Sequence, residues 1–463
     1  RMRADDQCSF FVGHGVKPLY LSSNRSCRPV AIVLTLYVLE LPISNSVFKI
    51  GKSYRDDMQS SFPNIRHMRV FVETARTGSV STAAELCHLS QPAATQAVAS
   101  IEANFGTALL IRNRQRSTLT SCGIHVEYRT KAALKHLRDG ARNALREAGH
   151  KAVRGQTFEL AVTASQLRNL IAIANTGSFT MAARSLGLSQ PTVHRTARNL
   201  EAVAGLPFFI ARPSGVHLTA AADAFMRGAK LAQSELRQAV EDISRETGKE
   251  RGTFVLGSLP LARTAIVPKA LHAMVSTVEG FQVRVVEGRY AELLRSLREG
   301  DIDCLIGALR HPIPADDIEQ ELLFQDALAI VAHPRHPLVD QRMVTLGDTV
   351  KFPWIAPPKE TPAGQYLFDT LQIDKRAQSP VRVVSSSMAV LRGVLAEGPY
   401  VSIVSRHQIN LDEALGTIAV LDVPLSGHVR DIGLTYRRGW APTKTQSLFI
   451  EHLRNFSTLV HQI

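Results

Sequence analysis

The sequence predicts a mixed α and α/β fold, with two helical modules in its first half and an α/β domain in its second half. Residues 69–120 recur without a gap, shifted by 99 positions, as residues 168–219, so one module is present twice. From residue 253 onward, apolar strand-like runs alternate with helical patterns, which is typical of a largely parallel sheet.

The distribution of charge separates the same two halves. Residues 61–251 hold 25 Lys and Arg against 14 Asp and Glu, whereas residues 252–463 hold 21 against 22. This distribution fits a polyanion-binding part joined to a part with another task. Solvated surface charge is the plainer alternative, and the repeat argues against it. The chain length of 463 residues allows about three domains.

The N-terminal extension fits neither half. Residues 1–60 show no sustained helix or strand period, and the apolar run 31–43 is too short to span a bilayer. No signal peptide is evident. We therefore expect an irregular extension and no membrane partner. We predict that the natural start is Met58 or Met68 and that the extension is not native.

The five cysteines lack the spacing of a metal site. They form no CxxC pattern and no Cys/His ligand set, so neither a zinc site nor a disulfide framework is predicted. We expect no metal, no cofactor and a cytoplasmic location.

The second copy of the repeat predicts two helices joined by a tight turn, and then a third. Apolar residues recur at helical spacing through 167–174, after which Gly177 can take a positive φ and Ser178 can cap the next helix. A short helix over 179–186 ends at Gly187. This order is that of a helix-turn-helix.

The third helix of the second copy has an apolar back and a polar front. Its back consists of Val193, Ala197, Leu200 and Ala204. Its front consists of Thr192, Arg195 and Arg198, with His194 and Asn199 beside them. A helix inserted in the major groove of DNA needs such an arrangement. The first copy keeps the back but carries no charge on the front, where Gln96 lies between Ala93 and Ala99.

Each third helix precedes a hairpin-like stretch that ends in Leu-Thr. Such a wing lies against the phosphate backbone, where Arg can make charge-assisted hydrogen bonds. The wing arginines are Arg112, Arg114 and Arg116 in the first copy and Arg212 in the second.

Five motifs in order resemble the winged helix-turn-helix of LysR-type transcriptional regulators. They are Gly177-Ser178-Phe179, Ala182-Ala183, Ser189-Gln190-Pro191, Leu200-Glu201 and Leu218-Thr219. The first copy matches the family pattern less fully, and two such units in one chain depart from the family's usual single unit.

This resemblance implies double-stranded DNA as a partner. In the second unit it implies contacts from Ser189, Gln190, Pro191, Thr192, His194, Arg195, Arg198 and Arg212, and in the first unit from Ser90, Gln91, Gln96, Arg112, Arg114 and Arg116. The base edges would be read by Gln190, Thr192 and Arg195. Our hypothesis is that the second unit reads the sequence and that the first grips phosphates. A first unit that only packs and never touches DNA is the alternative.

The helix after the second wing carries a heptad stripe. The stripe consists of Phe225, Ala229, Ala232, Leu236, Ala239 and Ile243. In the LysR family the corresponding helix pairs two subunits, so we expect a homo-oligomer, dimer or tetramer. A helix packed on its own chain is the alternative. We assign residues 61–150 to the first unit and residues 161–249 to the second.

The C-terminal part, residues 252–463, resembles the effector domain of the same family, which is similar to type 2 periplasmic binding proteins. We expect one lobe at residues 252–326 and 430–463, a second lobe at residues 327–429, and a ligand cleft between them. Cleft positions follow strands or precede helices, where backbone N–H groups hold anions. The candidates are Ser258, Arg289, Thr361 and Ser386.

The alternatives for two candidates are ordinary ones: Ser386 as a helix cap and Arg289 as a surface residue. Arg289 in the cleft would select a carboxylate or sulfonate. The turn at 259–261 resembles a subset of the family linked to sugars and aromatic acids. We therefore expect a small effector that is anionic, a sugar or an aromatic acid.

The function expected is that of a sequence-specific transcriptional regulator modulated by a small molecule. The alternative is an architectural DNA-bridging protein whose cleft binds nothing. A solute-binding protein or an enzyme on the same two-lobed fold is a third possibility, disfavoured by the basic front half. The sequence contains no P-loop, GxSxG or HExxH motif, so we predict that the chain is not an enzyme.

Overall fold

The structure is a computed structural model, which describes residues 62–113, 116–149, 158–248, 252–375, 380–427 and 429–458. The N-terminal extension and Arg114 lie outside the described residues, as does most of the link between the two units.

Both copies of the repeat form the same series of elements. The first copy consists of α1 (Ile65–Thr77), α2 (Val80–Leu86), α3 (Gln91–Phe105), β1 (Leu110–Arg112), β2 (Ser117–Leu119) and α4 (Ser121–Glu147). The second consists of α5 (Ala164–Thr176), α6 (Phe179–Leu186), α7 (Gln190–Ala204), β3 (Phe209–Arg212), β4 (Gly215–Leu218) and α8 (Ala220–Glu246). In each copy the two short strands pair antiparallel as a wing.

The predicted helix signals of the second copy are confirmed. Gly177 ends α5 with a φ of 62°, and the Ser178 side chain accepts a hydrogen bond from the backbone N–H of Met181. Gly187 ends α6 with a φ of 66°, and Ser189 caps α7. These caps satisfy backbone donors that the first turn of a helix leaves open.

The Leu-Thr that closes each wing also starts the long helix that follows it. Thr120 caps α4 by accepting from Gly123 N–H, and its hydroxyl donates to the Ala108 carbonyl. Thr219 does the same for α8, accepting from Ala222 N–H and donating to Pro207. The threonine therefore joins the wing to the long helix in both copies.

The heptad stripe of α8 packs against α4 of the same chain. All six of its residues are buried within the described chain, and Gly140 of α4 lies against Gly228 of α8. The expectation that this stripe pairs two subunits is corrected here, because the duplication supplies a second long helix within the same chain. A homo-oligomer of this chain would therefore need a surface other than this stripe.

The C-terminal part begins with alternating strands and helices. These are β5 (Gly252–Ser258), α9 (Ile266–Thr277), β6 (Phe281–Val286), α10 (Tyr290–Glu299), β7 (Cys304–Ala308) and β8 (Ile318–Ala332). The chain continues through α11 (Leu346–Thr349), β9 (Trp354–Ala356), α12 (Pro362–Gln365), β10 (Val381–Val384), α13 (Met388–Glu397), β11 (Val401–Ser405), α14 (Asn410–Ala414), β12 (Ala419–Val420), β13 (Val429–Arg437) and α15 (Lys444–Thr458).

The strands of this part form one mixed sheet in the order β10-β9-β11-β8-β13-β7-β5-β6, with β12 also paired to β8. The outer strands are parallel, as predicted, but β8 and β13 run antiparallel to their neighbours. The 15-residue β8 pairs with β13 up to Ala327 and with β11 from Leu328 onward. One strand therefore crosses from the first lobe to the second.

This topology makes the strand ends of the two lobes face each other. Strand β8 runs in the direction of β5 and β7, because both β8 and β7 are antiparallel to β13. Strands β9, β10 and β11 run opposite to β8. The carboxyl ends of the parallel strands in both lobes thus point toward the crossover, which is where an open α/β sheet binds ligands.

Candidate functional site

Helix α7 exposes its polar face to solvent and buries its apolar face. Val193, Ala197 and Leu200 are at most 1% exposed. The Asn169 side chain of α5 donates to the Val193 carbonyl at 2.7 Å, which fixes the two helices in register. The packing therefore sets which side of α7 faces outward.

The arginines of that outward face differ in their partners. Arg195 is exposed, and within the described chain it makes no hydrogen bond or ion pair. Arg198 is also exposed, but it pairs with Glu201 at 2.6 Å. A surface pair of this kind contributes little to stability, so Arg198 can exchange Glu201 for a phosphate. Arg195 is free to reach a base edge without losing any contact.

The start of α7 is held by its own side chains. Ser189 bonds to the Thr192 hydroxyl at 2.8 Å, and Gln190 accepts from the Thr180 hydroxyl at 3.1 Å. The His194 ring packs edge-on against Phe179, with centroids 5.1 Å apart. Pro191 lies exposed in the first turn.

One glutamate of each third helix anchors the wing that follows it. The Glu201 carboxylate accepts from the backbone N–H groups of Phe208 and Phe209 at 2.8 and 3.1 Å. In the second wing, Arg212 is exposed and makes no hydrogen bond or ion pair to the described residues. It stands at the end of β3, next to the tip of the wing.

The first unit repeats this anchor, but its third helix carries no arginine. Glu102 accepts from the N–H groups of Leu109 and Leu110, and it also pairs with Arg112 at 3.3 Å. The Arg116 side chain lies across Gly78. The exposed residues of α3 and its cap that were expected at DNA are Ser90, Gln91 and Gln96, none of them charged.

The four nominated cleft residues lie at strand ends or helix starts, as expected. Ser258 ends β5 fully buried, and its hydroxyl donates to the Leu259 carbonyl. Arg289 is exposed before α10. Thr361 caps α12 by accepting from Gly364 N–H at 3.0 Å.

Ser386 is exposed before α13, and the residue that caps this helix is Ser387. The alternative that Ser386 is a helix cap is therefore wrong.

Sequence reasoning missed an arginine at the end of β7. The Arg310 guanidinium lies 4.5 Å from the ring centroid of Tyr290 and makes no hydrogen bond or ion pair to the described residues. Burial lowers the pKa of Arg310, and the nearby charge of Arg430 lowers it further. Position after a strand, the criterion that selected Ser258, would also have selected Arg310.

Asp326, in the crossover segment of β8, is the centre of a polar cluster. It accepts from the Ser405 hydroxyl at 2.8 Å, from the His407 backbone N–H at 3.2 Å and from Arg430 at 2.5 Å. The His407 ring is buried against Phe324, and burial lowers its pKa.

Several buried polar atoms of this region have no hydrogen-bond partner among the described residues. They are the Tyr290 hydroxyl, Arg430 Nε and both ring nitrogens of His407. Buried polar groups are nearly always paired, and leaving one unpaired costs about 1–3 kcal/mol. Tyr290 lies against Arg310, whose charge Arg430 opposes, and both Arg430 and the His407 backbone contact Asp326 in the crossover segment of β8.

Family models match most of the chain. A model described as the LysR substrate binding domain matches residues 247–457. A model described as the bacterial regulatory helix-turn-helix protein, lysR family, matches twice, at residues 65–124 and 164–223. The chain belongs to the LysR family.

Two curated relatives show how far the likeness extends. The LysR-family chain is 33% identical over 380 residues to the HTH-type transcriptional regulator GalR of Pseudomonas putida, which covers 81% of this chain and 93% of that protein. It is 28% identical to the HTH-type transcriptional regulator PcaQ of Agrobacterium fabrum over 62% of this chain and 93% of that protein. The GalR alignment is long enough to reach into the first helix-turn-helix unit.

Two solved structures match about two thirds of the chain at low identity. Full-length OxyR of Pseudomonas aeruginosa is 20% identical, with a TM-score of 0.46, and the match covers 63% of this chain and 97% of that one. Full-length CbnR complexed with its target DNA is 22% identical, with a TM-score of 0.44, over 63% of this chain and 99% of that one.

The LysR-family chain joins its DNA-binding part to the effector domain through two charged side chains of α8, of which Lys230 is buried. Lys230 pairs with Glu299 and Asp301, both at 2.8 Å. Arg237 bonds to Asp303, which also accepts from the Val255 backbone N–H at 2.7 Å. Asp301 and Asp303, in the segment between α10 and β7, therefore hold α8 against the effector domain.

Burial opposes the charge of Lys230, but Asp301 and Glu299 hold its pKa above the ordinary value. In the part of the chain that the structure describes, no helix is long and apolar enough to cross a membrane.

Proposed function

We propose that this LysR-family transcriptional regulator reads DNA mainly through the outward face of α7. We also propose that a small anionic effector in the cleft alters its grip on DNA, and that it acts in the cytoplasm and catalyses no reaction. The observation that carries the first proposal is the solvent-exposed, unpaired Arg195 on a helix whose opposite side is buried. An arginine in that position can form two hydrogen bonds to guanine in the major groove.

The contrast with α3 supports α7 as the main reader. Gln96 occupies the position in the first unit that Arg195 occupies in the second, because the two are 99 residues apart. The outward face of α3 has no charge, so it contributes less to the electrostatic attraction that dominates affinity for DNA.

The test compares Arg195→Ala with its repeat equivalent, Gln96→Ala, in the full-length chain. DNA fragments pulled down from genomic DNA by the wild-type chain serve as targets, at a fixed salt concentration. We expect Arg195→Ala to weaken specific binding by about 1–3 kcal/mol and Gln96→Ala to weaken it less. Loss of specific binding in Gln96→Ala alone would reverse the assignment.

For the effector, the cleft favours an anion with further polar groups. Arg310 supplies a guanidinium with no carboxylate bound to it, and Arg430 lies close enough to repel it. A carboxylate or sulfonate between them would relieve this repulsion and form charge-assisted hydrogen bonds. The unpartnered Tyr290 hydroxyl and His407 ring would take hydroxyl or carbonyl groups of the same ligand.

Calorimetry on the full-length chain tests this proposal with benzoate, gluconate and the uncharged sugar glucose as probes. We expect the acids to bind more tightly than glucose, and Arg310→Ala to abolish the preference while Arg289→Ala keeps it. If the preference for the acids survives in Arg310→Ala but is lost in Arg289→Ala, the anion is bound by Arg289, the residue nominated from the sequence. Effector action requires that the ligand bind one conformation better than another.

A further inference from the structure

Helices α4 and α8 run antiparallel along their length. His125 contacts Glu246 at 3.3 Å, Arg129 contacts Asp242 at 3.0 Å, and the backbones of Gly140 and Gly228 touch. Residue numbers rise along one helix as they fall along the other, which is the signature of antiparallel packing. The contact is close, since a Cβ on Gly228 would lie 2.6 Å from the His136 carbonyl oxygen.

The same contacts show an approximate two-fold axis between the two units. Helix α8 is the repeat equivalent of α4, with residue numbers higher by 99, so the equivalent of His136 is Glu235. These two side chains meet, with His136 Nε2 and Glu235 Oε1 3.9 Å apart. When antiparallel copies of one element cross at equivalent residues, a two-fold axis passes through the crossing.

The buried charges favour the pairing of α4 with α8 over the pairing of two identical helices. Arg129 is 4% exposed and pairs with both Glu235 and Asp242. If two α4 helices paired about the same axis, Arg129 would face Asn143, the repeat equivalent of Asp242. If two α8 helices paired, Asp242 would face Gly228, the repeat equivalent of Arg129. Of these three pairings, only that of α4 with α8 places a carboxylate against the buried Arg129. A buried arginine without such a partner would destabilise the fold.

We propose that a single chain is a complete reader of a two-part DNA site, with α3 and α7 on half-sites related by this axis. Two-fold related recognition helices bind half-sites separated by turns of the duplex. Here the two helices differ, so the site is not palindromic. The proposal rests on the proposed function only in taking α7 as a DNA reader.

The side chains on the two helices predict how the half-sites differ. Arg195 fits guanine through its N7 and O6 atoms, whereas a glutamine such as Gln96 fits adenine through N6 and N7. The two residues are repeat equivalents, so they face the same position of each half-site. The prediction is a guanine at that position in one half-site and an adenine in the other.

Cross-linking tests the pairing without DNA. The double variant His136→Cys with Glu235→Cys is oxidised in a mixture of full-length chains of two sizes, with each single variant as the control for the native cysteines. We expect at least a tenfold excess of bonds within a chain over bonds between chains. A predominance of cross-links between chains would overturn the proposal, whatever the chain does to DNA.

DNA selection then tests the reading. Full-length wild type, Arg195→Gln and Gln96→Arg each select binding sites from a random duplex pool. We expect each variant to change the preferred base in one half-site only, and the two variants to affect opposite half-sites. We also expect mass photometry to show that one chain is sufficient to bind both half-sites. A change in both half-sites together, or an obligatory second chain, would refute a single-chain reader. If no variant alters selection, α7 is not the reader and the proposed function fails as well.

Discussion

The two helix-turn-helix units follow one backbone plan and differ in the side chains that face outward. Both have a capped third helix, a wing anchored by glutamate and a threonine that starts the long helix. On α7 the outward face carries the free Arg195, whereas α3 carries Gln96 at the equivalent position. The two copies thus share the residues that build the module and differ in the residues that we propose contact DNA.

The long helices differ in the same way, at the position shared by Arg129 and Gly228. In α4 this position carries a charge buried between two carboxylates, and in α8 it is a glycine that allows the helices to touch. The difference fits each helix to the other copy and not to a second copy of itself.

The largest effect should follow loss of Arg129. Arg129→Ala leaves Glu235 and Asp242 without their buried partner, and we expect unfolding to become easier by about 3–5 kcal/mol. Lys135→Ala is the matched control on the same helix, because the Lys135–Asp139 pair is exposed and its loss should cost at most about 1 kcal/mol. Urea unfolding measures both. Equal, small effects would mean that the helices are not paired through Arg129.

The wing anchors should give a smaller and equal effect in the two units. Glu102→Ala and Glu201→Ala each leave two backbone N–H groups unpaired, at a cost of about 1–3 kcal/mol in unfolding free energy. We expect the two variants to agree in stability but to differ in DNA binding, with the larger loss in Glu201→Ala. A matching loss of DNA binding in both would show that the two units contribute equally.

The smallest expected effect is on how the stability of the fold depends on pH. Burial opposes ionisation of Glu235, but the nearby His136 imidazole and the Arg129 guanidinium hold its pKa below the ordinary value of 4.5. A carboxyl with a lowered folded pKa stabilises the fold above the unfolded pKa, and this contribution is lost as pH falls through the folded value. Stability should therefore decline below pH 4.5, and less steeply in Glu235→Gln. Parallel declines in urea titrations of the two proteins would contradict this.

The sequence was enough for features that depend on neighbouring residues. The glycine and serine caps around α6, the apolar back of α7 and the alternation of strands and helices are all local patterns, and the structure confirms them. The repeat also made the two units recognisable without any structure.

What the sequence could not supply was the identity of distant partners. The stripe on α8 shows that a helix must cover it, but not that α4 of the same chain does so. The mixed sheet escaped prediction because β8 pairs with one lobe and then the other, which no local pattern reveals. Arg310 was missed because its neighbour, Tyr290, is brought to it only by the fold.

The central claim, that Arg195 lies in the major groove of a duplex, can be tested one atom at a time. Binding of the full-length wild type and of Arg195→Ala is measured on selected DNA in which single guanines are replaced by 7-deazaguanine, which lacks the N7 acceptor. We expect one replacement to weaken wild-type binding and to leave the binding of Arg195→Ala unchanged. If Arg195→Ala retains the full sensitivity of the wild type at every guanine, Arg195 does not read the base and the assignment of α7 is wrong.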